Sequence, residues 1–216
     1  MVVNIIFDLD GTLIDTEKYY RKAWPMALAH FGYEMSDARS LQMRSLGRPH
    51  SPRQLREWYG QDFDYPAVRE YRKQLIEDMI AKDGMDLKPG AVETLTKLRD
   101  MGYTVAMATA NEYDRAERYL KKIGLFEYFD KIICANMVES GKPAPDIYSY
   151  ACSELGADAS ECYAVEDSPN GVKSAFLAGC KVIFVPDQTD VDDEIRDMIY
   201  ARVDSLTDII SLVAKG

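Results

Sequence analysis

Four short motifs hold most of the residues able to do chemistry. Asp8-Leu9-Asp10-Gly11-Thr12 sets two carboxylates two positions apart. Thr109-Ala110-Asn111, Gly141-Lys142-Pro143 and Glu166-Asp167-Ser168 add hydroxyls, an amide, a lysine and two more acids. Carboxylates such as Asp8, Glu166 and Asp167 repel one another when gathered, and such sets persist around a hard cation. A small all-oxygen set suits Mg²⁺, which is octahedral and keeps several waters. Nothing points to zinc, because no His or Cys stands at ligand spacing. Lys142, Thr109 and the backbone N–H groups around Asp10 and Ala110 supply donors for a phosphate beside that metal.

These motifs meet only if the fold brings them to one edge. Apolar runs at 2–7, Tyr103–Ala108, Lys131–Ala135, Cys162–Val165 and Lys181–Val185 read as buried strands, and the motifs stand at or beyond their ends. Between them lie helical segments near 112–123, 145–155 and 169–178, closed by Gly124, Gly156 and Gly179, and another from Pro89 to Gly102. A last helical stretch or two follows Asp190. Strands alternating with helices of this length predict an α/β fold: a three-layer, Rossmann-like sheet of five parallel strands. Ligands of such sheets bind at the carboxyl ends of the strands.

Residues 16–83 read as helix only, with segments near 16–32, 36–45, 51–59 and 66–82. Ser36 and Ser51 suit N-caps, Pro52 suits a first turn, and Pro25 is placed to kink or divide the first helix. The expected organisation is a core domain of 1–15 and 84–216 carrying an inserted four-helix cap domain of 16–83. Charge follows the same division. The insert has 12 Lys/Arg and 10 Asp/Glu, and the remainder 14 and 26.

D-x-D-G-T after an apolar strand, T-A-N after a second, G-K-P-x-P-D and then E-D-S together resemble the haloacid dehalogenase superfamily of phosphatases. The helical insert after the first motif resembles the cap of its phosphoglucomutase-like branch. The likeness runs the length of the chain, in order. It implies Mg²⁺-dependent hydrolysis of a small phosphate monoester, a phosphosugar or similar metabolite, through an aspartyl-phosphate. Asp8 then resembles the nucleophile, and Asp10 the acid for the leaving oxygen and the base for water. The metal would be held by Asp8, the backbone carbonyl of Asp10, Glu166 and Asp167. Thr109, Ala110, Asn111 and Lys142 would hold the phosphate.

Two other readings stay open. One is a β-phosphoglucomutase-like mutase, whose resemblance weakens where Glu112-Tyr113 replace Lys-Asn and where His50 takes the place of an arginine. The other is a non-enzymatic phospholigand-binding protein on the same scaffold.

Several residues have plainer readings. Thr12 suits loop geometry, Asp15 and Thr16 a hinge or helix cap, and Asp146 and Ser168 helix caps. Asp190, Asp192, Asp193 and Glu194 read as the acidic start of a helix. Residues 38–56 hold five arginines and no acid. Most of them, among them Arg39, Arg44, Arg53 and Arg56, read as an exposed helical face. Arg48 and His50 flank a turn that in this branch faces the site, so both are candidate substrate contacts. His30 reads as packing or surface, and Trp24 and Trp58 as cap core.

Composition sets the outer limits. The chain has 216 residues, 47% hydrophobic and 29% charged, which is globular. No run of apolar residues exceeds four, so neither a membrane span nor a signal peptide is expected. A net charge of −10 argues against a nucleic-acid partner. Cys134, Cys152, Cys162 and Cys180 form no C-x-x-C pair and read as small core residues in a reducing cytosol. The expected partner is a small phosphorylated metabolite, met by a cytoplasmic monomer or weak dimer that uses no membrane.

Overall fold

The computed structural model describes residues 4–214. The expected first strand includes Val2 and Val3, which lie outside the described residues. Strand β1 (Asn4–Phe7) leads through the Asp8 loop to four helices: α1 (Glu17–His30), α2 (Asp37–Gln42), α3 (His50–Tyr59) and α4 (Tyr65–Asp83). There follow α5 (Ala91–Asp100), β2 (Thr104–Thr109), α6 (Tyr113–Ile123), β3 (Lys131–Cys134) and α7 (Asp146–Glu154). The chain ends with β4 (Cys162–Glu166), α8 (Pro169–Ala178), β5 (Lys181–Phe184), β6 (Ala201–Arg202) and α9 (Asp208–Val213).

All strands are parallel, in the order β3-β2-β1-β4-β5-β6. β1 is central because its residues are buried on both faces, as a parallel strand under two helical layers must be. Alternate residues serve opposite cores. Ile5, Phe7, Val105 and Met107 pack with Leu95 and Leu98 of α5, Leu120 of α6 and Ile209 of α9. Ile6, Ala106 and Ala108 pack with Ile147 and Ala151 of α7 and Val172 of α8. From β1 the chain winds outward to β2 and β3, then crosses back to β4 on the other side. Asp8 therefore stands at the topological switch point, where open sheets hold ligands.

The sheet has six strands where five were expected. β6 is two residues long, and its flanks bond to β5: Tyr200 N donates to Val182 O at 2.8 Å and Val203 N to Phe184 O at 2.9 Å. A strand that short carries no periodicity. The acidic run before it opens no α-helix; Asp190 instead holds Arg202, with Nη2 to Oδ2 at 2.8 Å.

The four helices have a core of their own, built on Trp24, Ala27, Leu28, Met43, Leu55, Phe63, Tyr65 and Val68. Pro25 lies inside α1 without dividing it. Ser36 caps α2, accepting from Arg39 N at 3.3 Å. Ser51 is not a cap: it lies within α3 and bonds the Tyr65 hydroxyl at 2.9 Å. Ser168 caps α8, whereas Asp146 caps nothing and accepts from Ser140 N at 3.0 Å. All four cysteines are free and buried. Among the described residues, no helix is long and apolar enough to cross a membrane.

Leu28 is fully buried at the centre of the helical insert's core. Leu28→Ala should cost about 2–5 kcal/mol of stability, read by urea denaturation. A loss under about 1 kcal/mol would show that this cluster does not hold the four helices together.

Candidate active site

Four of the six strands, β1 to β4, contribute from their carboxyl ends or the loops after them. Asp8 follows β1, Thr109 ends β2, and Glu166 ends β4 with Asp167 next in chain. Lys142 arrives on the loop after β3. Its Nζ donates to Asp8 Oδ1 at 2.6 Å, to Glu166 Oε1 at 2.6 Å and to the Ala108 carbonyl at 3.0 Å. All three donor sites are thereby used, and the residue is 1% exposed. Burial by itself would favour the neutral amine, but Asp8 and Glu166 outweigh it and hold the Lys142 pKa above its ordinary value.

Glu166 is held from every side. Tyr148 donates to its Oε1 at 2.7 Å, and Ser168 Oγ and Asp167 N approach its Oε2 at 3.3 Å. Its carboxyl rests on Gly171, where an added Cβ would meet it at 2.0 Å. Asp167 accepts from Thr12 Oγ1 at 3.1 Å, so Thr12 is a loop-geometry residue as expected. Gly11, at φ +89°, lets the backbone pass where a Cβ would lie 2.4 Å from Asp167 Oδ2.

Asp10 turns away from this cluster. Its Oδ1 accepts from Thr16 Oγ1 at 2.5 Å and its Oδ2 from Asn111 Nδ2 at 2.5 Å. Burial raises its pKa from the ordinary carboxylate value, against the Thr16 hydrogen bond and Arg115. Thr16 thus contacts Asp10 and does not cap α1 with its side chain. Thr109 lies beneath the surface, its Oγ1 accepting from Asn111 N at 3.2 Å and Nδ2 at 3.1 Å. Ala110 and Asn111 line the open cavity with Asp8 and Asp10.

Asp8, Glu166 and Asp167 each offer an oxygen within 4.8 Å of the others. Asp8 Oδ2 is buried and has no hydrogen-bond partner among the described residues. An orphaned carboxylate oxygen in an all-oxygen cluster fits a hard divalent cation of the Mg²⁺ type. Burial, with Glu166, Asp167 and Asp10 nearby, pushes the Asp8 pKa well up against the pull of Lys142.

The cavity above this cluster has a volume of about 310 Å³ and lies between the sheet edge and the helices. The turn at Gly47 is tied to the lysine loop in both directions. Gly47 N donates to Lys142 O at 2.8 Å, and Gly141 N to Arg48 O at 2.6 Å. Arg48 lines the cavity and pairs with Glu112 at 3.2 Å, while His50 opens α3 and is not among the lining residues.

Arg44 departs from the expected exposed face. It is 3% exposed and contacts the Asp167 carboxylate, the Asp167 carbonyl at 3.0 Å and Thr189 Oγ1 at 2.9 Å. Glu17, also buried, lies 3.5 Å from its Nε. The helix expected near 36–45 ends at Gln42, so Arg44 lies in the turn after α2 and not on a helical face, and its contact with the sheet edge buries it. Thr16 and Glu17 adjoin the first motif, which is the one signal that could have found them. Tyr148 and Arg44 carry none.

The family model for haloacid dehalogenase-like hydrolases matches residues 3–179. A probable phosphatase, IndB, of Dickeya dadantii is 34% identical over 84% of this chain and 80% of its own. The fructose-1-phosphate phosphatase YqaB of Escherichia coli is 28% identical over 84% of this chain and 95% of its own. The crystal structure of CbbY from Rhodobacter sphaeroides in complex with phosphate superposes with a TM-score of 0.79 at 28% identity, covering 97% and 96% of the two chains. The chain belongs to the haloacid dehalogenase-like hydrolases. Within that family it acts as a phosphoric monoester hydrolase on small phosphate monoesters.

Gly171→Ala should force Glu166 off Lys142. It should cost about 1–3 kcal/mol of stability and lower phosphatase turnover together. An unchanged melting temperature and rate would show that Glu166 has room to move.

Proposed function

We propose that Asp8 Oδ2 is the nucleophile of this phosphatase. The observation that carries the reading is the division of labour between its two oxygens. Oδ1 is pinned by Lys142 at 2.6 Å, while Oδ2 is buried without a partner in a residue that lines the cavity. In the first displacement, Oδ2 forms a bond to phosphorus as the ester oxygen–phosphorus bond breaks, and Asp10 gives its proton to the departing oxygen. In the second, Asp10 takes a proton from water as the water oxygen attacks phosphorus. The Asp8–phosphorus bond breaks and inorganic phosphate leaves.

Thr16 and Asn111 hold the two Asp10 oxygens in this conformation, and Asp10 gives up one of these hydrogen bonds when it turns to the leaving oxygen. Thr109 orients Asn111, and Ala110 and Asn111 form the wall that takes the transferred phosphate, while Lys142, buried beneath with its three donors in use, lies outside that wall and acts through Asp8. Asp8, the Asp10 carbonyl, Glu166 and Asp167 would hold Mg²⁺, which when bound neutralises phosphate charge and orients the group for in-line attack. The 16–83 unit is the cap domain and 1–15 with 84–216 the core. The two-way backbone bonding of Gly47 and Arg48 with Gly141 and Lys142 supports a cap that excludes bulk water when seated. The substrate is a phosphosugar or similar metabolite, as the E. coli relative's name supports. Free thiols at all four cysteines support a reducing cytoplasm.

Asp8→Asn should lower kcat at least about 10³-fold, close to 4 kcal/mol of barrier, in a phosphate-release assay. Full turnover by the purified variant would sink the assignment. Activity should also vanish on EDTA dialysis and return with Mg²⁺, whereas Ca²⁺, which prefers higher coordination and bidentate carboxylates, should inhibit. Undiminished turnover after dialysis would contradict the metal role.

A further inference from the structure

The cavity is far more basic than the protein around it. Its lining has eight Lys/Arg and six Asp/Glu in a chain of net charge −10. The excess gathers on one face of α4, where Arg69, Arg72 and Lys73 fall at i, i+3 and i+4. Like charges at that spacing weaken a helix unless something neutralises them. Glu112 of the core does so for two of the three: Arg69 Nη2 lies 2.9 Å and Lys73 Nζ 3.5 Å from its carboxylate, and Arg48 lies 3.2 Å from it. One carboxylate thus serves three cations. Glu77 serves two more, Arg115 at 3.0 Å and Arg118 at 2.9 Å.

Arg72 has no acidic partner among the described residues. Its guanidinium stacks on Trp24 with 4.0 Å to the ring centroid and lies 5.7 Å from that of Tyr20. Its Nε is buried without a hydrogen-bond acceptor. Burial pushes its pKa down to about 10, which leaves it charged at neutral pH. Arg72 as a whole is half-buried and lines the cavity, so this guanidinium, partly withdrawn from water with no anion beside it, is placed to meet an anion that enters there. Tyr20 joins this place to the reacting centre: its hydroxyl donates to Asn111 Oδ1 at 3.2 Å, and Asn111 in turn holds Asp10.

We propose that Arg72, with Arg69 and Lys73 beside it, binds a second anionic group on the leaving group of the substrate. This rests on the phosphatase reading and narrows it. The favoured substrates are small phosphate monoesters whose distal end carries a phosphate or carboxylate. The reacting phosphate sits over Asp8, and the distal anion sits against the α4 face, with Trp24 and Tyr20 walling the space between.

The test uses two matched pairs. Fructose 1,6-bisphosphate is compared with fructose 6-phosphate, and 3-phosphoglycerate with glycerol 3-phosphate. The wild type should favour the second-anion member of at least one pair by about 10-fold or more in kcat/KM, the scale of one charge-assisted contact. The pair that responds tells phosphate from carboxylate. Arg72→Gln should abolish that preference, and Arg72→Lys should keep part of it. A merely structural role for Arg72 would lower both members alike and leave the ratio unchanged, which would overturn the proposal, as would a wild type with no preference in either pair.

Binding is read separately in an Asp8→Asn, Trp58→Phe protein, where Trp24 is the remaining tryptophan. The same four compounds are titrated by fluorescence, and the second-anion members should shift Trp24 emission at about 10-fold lower concentration. If none of the four compounds releases phosphate, the activity reading has failed, and the binding ratio alone decides the subsite: a ratio near one overturns it.

Discussion

The site depends on one buried charge. Lys142 lies between Asp8 and Glu166, 2.6 Å from each, and is buried. Two carboxylates this close would drive each other toward the protonated form. The ammonium between them offsets that repulsion and fixes the distance between the ends of β1 and β4. Removing one member of such a group leaves an uncompensated buried charge, at about 3–5 kcal/mol. Tyr148, Gly171 and the Ala108 carbonyl matter because each holds this lysine or its partner in place.

The sheet makes that arrangement possible. Parallel strands aim their carboxyl ends at one edge, and the reversal of winding on either side of β1 leaves that edge open. Loops from β1, β2, β3 and β4 then need only a few residues each to reach a common point. The helical insert leaves the chain directly after the first of these loops and returns before β2, so it stands over the edge. The backbone bonds between Gly47–Arg48 and Gly141–Lys142 connect it to the same loop that carries the lysine. The position of the insert and that of the buried charge are therefore coupled through a single peptide segment.

The arginines of the insert separate into unlike groups on this scaffold. Arg53 is exposed, and Arg39 lies over Trp58 at 4.9 Å. Arg44 is buried against Asp167 and neutralises part of the carboxylate cluster. Arg72 is half-buried over Trp24 with its Nε unpaired and no acidic partner among the described residues. The same residue type is solvated, paired with a carboxylate or left without an anion, according to what the opposite surface presents.

Much of the candidate site was legible in the sequence. Asp8, Asp10, Thr109, Glu166 and Asp167 stand at or just beyond apolar runs, a local property that a run of six residues can declare, while Lys142, eight residues past β3, was marked by its Gly-Lys-Pro motif. The alternation of strands and helices carried the parallel sheet for the same reason. What the sequence could not declare was contact between distant surfaces. Arg44 and Arg72 both fall in stretches whose period and composition read as helix with a solvated face, although Arg44 lies in the turn after α2. The short β6 had too few residues for a period, and His50 sat beside the right turn without reaching the cavity. Burial of a charge between two units, and the presence or absence of its counter-ion, is a pairwise property of residues far apart in the chain. Only the tertiary structure decides it, because the desolvation that gives such a charge its meaning exists only once the two surfaces have met.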